Sequence, residues 1–142
     1  MNLELLLKSG QLPITNQPVI LAVDDDEDNL VLLSEVLTDL SCSFITATHG
    51  QTALHLAQNC EPDLILLDVM LPDLNGIEVV QRFKQNPQTT NIPVVAVTAL
   101  AKAEDRDRLI LAGFNDYISK PYMLDDLEAV INRYLNRTSS VA

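Results

Sequence analysis

The chain has 142 residues, 47% of them hydrophobic, which suits one compact domain and is too short for two. A formal charge of -11 without any basic stripe repels phosphate backbones and argues against nucleic acid as a direct partner. Cys42 and Cys60 lack the spacing of a disulfide framework or zinc site, the amino terminus lacks a secretory pattern, and no apolar run nears the ~20 residues of a bilayer span, so a soluble, cytoplasmic protein is expected.

Residues 1–17, punctuated by Gly10 and Pro13 and followed by Pro18, stand apart as a partly ordered N-terminal extension. The alternative is a short helix with Leu3, Leu6 and Leu7 on one face, packed on the domain or on a second subunit. From Val19 the chain alternates strand and helix, the pattern of a parallel sheet with right-handed crossovers. The first strand is Val19 to Val23, and the helix after it carries Leu30, Leu33, Val36, Leu37 and Leu40 at helical spacing. Ser43 to Ala47 is the second strand, and Gly50 to Asn59 a helix with Ala53, Leu54 and Ala57 inward. Asp63 to Leu67 is a strand without polar alternation, as expected for one covered on both faces. Gly76 to Asn86 follows as a helix burying Ile77, Val80 and Phe83, with Pro87 as its stop. Ile92 to Val97 is the fourth strand, and Glu104 to Ala112 the fourth helix, ended by Gly113. Tyr117 to Ser119 is a short fifth strand, and Leu124 to Leu135 a helix with Leu127, Val130, Ile131 and Leu135 inward. Residues 137–142 form a tail too short for an output domain.

Polar residues stand where the apolar strands stop: Asp24 and Asp25, Asp68, Thr98, and Lys120. In a doubly wound α/β sheet these tips face one crevice, where ligands bind. Three carboxylates that close repel unless a cation intervenes, and magnesium, a hard ion that takes oxygen ligands and keeps several waters, suits them. With Lys120 opposite, Asp68 could act as a nucleophile in phosphoryl transfer, forming an aspartyl-phosphate whose oxygen Thr98 contacts. Asp26, Glu27 and Asp28 read as a solvated acidic cluster favouring a helix N-terminus. His49 and His55 have no matching ligand partners and read as surface or structural residues.

Four pieces in order resemble the receiver domain of bacterial two-component response regulators, of the stand-alone, chemotaxis-regulator-like kind. They are Val23-Asp24-Asp25, Leu67-Asp68-Val69-Met70-Leu71-Pro72 with Gly76, Thr98-Ala99, and Ser119-Lys120-Pro121, and the resemblance covers residues 18–136. It implies a flavodoxin-like (βα)5 fold with strand order 2-1-3-4-5. It also implies Asp68 as phosphoacceptor, Asp25 as a direct magnesium ligand, Asp24 as a ligand through water, and the Met70 carbonyl as a further ligand. Thr98 and Lys120 would sense the phosphoryl group, Tyr117 would change rotamer with Thr98, and Lys120-Pro121 would be a cis peptide bond. The implied partners are a histidine kinase or histidine phosphotransfer protein, and a downstream protein or second copy bound to Lys102–Phe114 and Tyr117–Leu135. Met70 and Leu100, both apolar, would flank the path of hydrolytic water and give a long-lived aspartyl-phosphate.

Three other readings compete. Asp24-x-Asp26-x-Asp28 with Glu35 matches the acidic positions of a calcium loop, but Asn29 stands where that loop needs glycine, and a strand replaces the entering helix. A receiver-fold scaffold would bind partners regardless of phosphorylation. A magnesium-dependent, aspartate-nucleophile phosphatase would need an acid–base residue beside Asp68 and a substrate-selecting insertion, and neither is evident. The expectation is therefore a signalling phosphoacceptor rather than an enzyme acting on outside substrates.

Overall fold

The computed structural model describes residues 17–99 and 103–136. The reading of residues 1–16 and 137–142 falls outside them, as do those of Leu100 and Lys102.

Five strands, β1 (Val19–Val23), β2 (Ser43–Ala47), β3 (Leu64–Leu67), β4 (Val94–Thr98) and β5 (Asp116–Ser119), pair in parallel in the order β2-β1-β3-β4-β5. Between and after them run α1 (Glu27–Asp39), α2 (Gly50–Cys60), α3 (Gly76–Gln85), α4 (Ala103–Ala112) and α5 (Leu124–Tyr134). This is the flavodoxin-like topology. Successive strand residues point to opposite faces, so each buried strand feeds two cores. Leu21, Val23, Ile65, Leu67, Val94 and Ala96 pack under α2, α3 and α4. Ile20, Ala22, Leu64, Leu66, Val95 and Val97 pack under α1 and α5. Each such valine, leucine or isoleucine contributes about 1.5–3 kcal/mol on burial, which is why these strands tolerate no polar alternation.

The local chemistry departs from expectation in places. Thr98 is the last residue of β4, not a residue beyond it, and β4 begins at Val94 because Pro93 has no N–H to donate. On α3 the buried residues are Val79, Val80 and Phe83, while Ile77 is only half-buried. Leu135 lies past the end of α5 and packs only partly. Asp26 is no merely solvated acid; its carboxylate accepts the Asp28 N–H at 2.9 Å and caps α1. Gly113, at φ +123, ends α4 in a backbone region that side chains rarely adopt. Lys84 reaches from α3 across the fold and donates to the carbonyls of Ile92 at 2.9 Å and Thr90 at 3.3 Å and to Asn115 Oδ1 at 3.4 Å. Burial without a carboxylate partner pushes its pKa down.

Candidate functional site

The strand ladder carries on one residue past several strand ends, and this fixes the acidic tips. Asp24 N–H donates to Ala47 O at 3.1 Å, Asp68 N–H to Val23 O at 2.9 Å, and Lys120 N–H to Thr98 O at 2.8 Å. Asp24, Asp68 and Thr98 are thereby buried at adjacent strand ends, while Asp25 beside them is exposed. Oxygens of Asp24, Asp25 and Asp68 lie within 4.8 Å of one another.

The Lys120 ammonium bridges two of the three, at 2.7 Å from Asp24 Oδ2 and 3.0 Å from Asp68 Oδ2. Burial alone would lower the Lys120 pKa, but the hydrogen bonds and charges of the two aspartates outweigh it and the net shift is upward. Asp68 is also shifted upward. Its desolvation exceeds the help it receives from the Met70 N–H, at 2.9 Å from Oδ1, and from Lys120. One lysine thus leaves this carboxylate under-compensated. Asp24 gains further donors in the Asp26 N–H at 2.9 Å and Asn29 Nδ2 at 3.4 Å.

The donor set is all oxygen, with Asp25 and Met70 open to solvent, so it fits a hard divalent cation such as magnesium. Asp24, Asp25 and Asp68 would hold it, with the Met70 carbonyl on the adjoining loop. The close fit of that loop is set by Gly76, where a Cβ would come 2.6 Å from Val69 Cα and 2.8 Å from Asp68 O. Gly76 N–H donates to Val69 O at 2.8 Å, and Asn75 caps α3 through the Ile77 N–H at 2.8 Å.

Thr98 and Lys120 sit at neighbouring strand ends, joined by the Lys120 N–H to Thr98 O bond, and Lys120-Pro121 is cis. Tyr117 lies one strand over on β5, half-buried, with the Arg106 guanidinium carbon 4.5 Å from its ring centre. The calcium-loop alternative fails, because β1 leads into Asp24 where that motif requires a helix. Three neighbours escaped the sequence reading. Asn29 shows only as a residue one helical turn and a half beyond Asp24. Tyr122 has a buried hydroxyl with no hydrogen-bond partner among the described residues, and nothing in its sequence context marks it. Asp73 binds the backbone of α2, with its carboxylate oxygens 2.7 Å from Gly50 N and 3.0 Å from Gln51 N.

Comparison with known proteins matches this arrangement. The family model "Response regulator receiver domain" fits residues 20–132. The polar-differentiation response regulator DivK of Brucella anthropi is 36% identical over 116 residues, which span 82% of this chain and 94% of DivK. Response regulator PleD of Caulobacter vibrioides is 44% identical over 108 residues, which span 76% of this chain but only 23% of PleD. Among solved structures, the receiver domain of sensor histidine kinase PA1611 from Pseudomonas aeruginosa, with a magnesium ion coordinated in its active site cleft, superposes with a TM-score of 0.79 at 28% identity, covering 84% of this chain and 98% of that one. Five parallel strands in this order, three acids and a lysine at their tips, and a family model spanning most of the sequence place the chain among the response regulator receiver domains of two-component signalling.

Proposed function

We propose that the chain accepts a phosphoryl group on Asp68 from a phosphohistidine of a histidine kinase or phosphotransfer protein, and signals by a changed protein-binding surface. The carrying observation is the Lys120 ammonium shared between Asp24 and Asp68 beside the open Asp25. An Asp68 carboxylate oxygen attacks phosphorus in line; the P–O bond forms as the P–N bond breaks, and the departing imidazole nitrogen takes a proton. Lys120 stays charged throughout and stabilises the charge gathering on the transferred oxygens. Magnesium, when bound, neutralises the phosphoryl charge. Thr98 donates its hydroxyl to a phosphoryl oxygen, and Tyr117 leaves Arg106 as its ring turns. The altered surface is that of α4, β5 and α5, where Arg106, Tyr117, Asp126 and Arg133 line a groove of about 480 Å³; a downstream protein or a second copy docks there. The domain spans residues 18–136 and works in the cytoplasm, where such kinases present their phosphohistidines.

The test is labelling with a small phosphodonor in magnesium, with intact mass as readout. Wild type gains one phosphoryl group and Asp68→Asn gains none; equal labelling of the two refutes the assignment. Beryllofluoride, a phosphoryl mimic, alters elution in size exclusion of wild type only, if self-association is one output.

A further inference from the structure

The acidic pocket is bordered by the β3–α3 loop, residues 68–75, which carries Met70. Leu71 and Leu74 pack partly on the core from either side of Pro72 and Asp73. Between them the exposed Asp73 turns away from its own element and takes the first two N–H groups of α2, at 2.7 and 3.0 Å. That helix needs them taken. Its N-cap residue, His49, makes no side-chain capping bond, so Asp73 is a cap supplied from 23 residues away. The junction is tight as well as bonded, since a Cβ on Gly50 would meet Val79 Cγ2 at 2.9 Å and Leu74 Cβ at 3.0 Å.

We propose that Asp73 is a positioning residue for the metal site: by anchoring the middle of the β3–α3 loop to the N-terminus of α2, it holds the Met70 carbonyl where the Asp24, Asp25 and Asp68 carboxylates meet. The inference rests on the reading of those residues as metal ligands. An untethered loop reaches its binding conformation only part of the time, and apparent affinity falls by that fraction. The coupling is reciprocal, so a cation bound at the strand tips also steadies the start of α2, on the far side of the loop.

The experiment titrates magnesium into metal-free protein by calorimetry, with thermal unfolding and amide exchange on the same samples. Asp73→Ala is expected to bind about five- to tenfold more weakly. Asp73→Asn loses the same charge but keeps an acceptor, and is expected to stay within about twofold of wild type. His49→Ser combined with Asp73→Ala gives α2 a local cap; thermal stability is expected to return while magnesium affinity stays low. Magnesium slows exchange of the Gly50 and Gln51 amides in wild type and Asp73→Asn but not in Asp73→Ala. Unchanged affinity in Asp73→Ala, equal weakening in Ala and Asn, or recovery of affinity along with stability in the double variant each overturns the positioning role and leaves the metal site standing. Absence of magnesium binding by wild type overturns both.

Discussion

Lys120→Met isolates the electrostatics of the pocket, because it keeps the side chain's bulk and removes its charge. In metal-free protein it strands Asp24 and Asp68, whose side chains are 2% and 6% exposed, without their shared cation. Removing one partner of a buried ion pair costs about 3–5 kcal/mol. Lys120 is itself 20% exposed, so solvent screens part of the interaction and the loss should fall to or below the lower end of that range, about 2–3 kcal/mol. With a urea slope of about 2 kcal/mol/M for a domain of this size, the midpoint in EDTA falls by about 1–1.5 M. Adding Asp68→Asn to Lys120→Met removes one of the two stranded charges and should return about 1 kcal/mol or more, a coupling that a double-mutant cycle reads directly. Magnesium should stabilise Lys120→Met more than it stabilises wild type, because the bound ion then supplies the positive charge that the lysine no longer does. A midpoint for Lys120→Met within about 0.2 M of wild type in EDTA would refute the reasoning.

Three further outcomes are expected. Burial raises the Asp68 pKa above its unfolded value, so the group's contribution is fully present below about pH 4 and is lost as pH rises through the folded value; Asp68→Asn should therefore be more stable than wild type at pH 7 in EDTA, with the gap closing in acid urea melts and reversing when magnesium is added. Gly76→Ala puts a methyl against the backbone of Val69 and Asp68, and should cost about 1–3 kcal/mol and weaken magnesium binding, read by thermal unfolding and calorimetry. Tyr122→Phe removes a buried hydroxyl that lacks a partner among the described residues, and should leave stability equal or raise it by about 1 kcal/mol in urea melts.

The sheet was legible because burial on both faces writes itself into composition: β1 and β2 end where expected, and the other strands differ by a residue or two at their ends. The tip residues were legible for a related reason, since a polar side chain directly after an apolar run has few purposes. What escaped was long-range or rotational. Val79 is fully buried while Ile77 packs only partly on the same core, because the angle at which α3 lies on the sheet decides between adjacent apolar residues, and a short amphipathic pattern leaves that angle open. Asp73 reads as a turn acid beside Pro72, and nothing local says that its acceptors face Gly50 and Gln51. Lys84 reads as a solvated helix lysine, yet its ammonium lies among carbonyls that the α3–β4 connection brings over it.

That buried lysine has a mechanical consequence for α4. Lys84 and Val94 both bind the Asn115 side chain, and Asn115 N–H binds Val94 O, so the chain just past Gly113 is riveted to the start of β4. The rest of α4 is lightly held, with Leu109 its sole buried residue. A helix so held would act as a lever, pivoting at its C-terminal end. Ten residues at ~1.5 Å each make an arm of about 15 Å, and a swing of about 10° carries the free end roughly 2.6 Å. A displacement of that free end would therefore turn the outer face of the helix while its far end stays in register with the sheet.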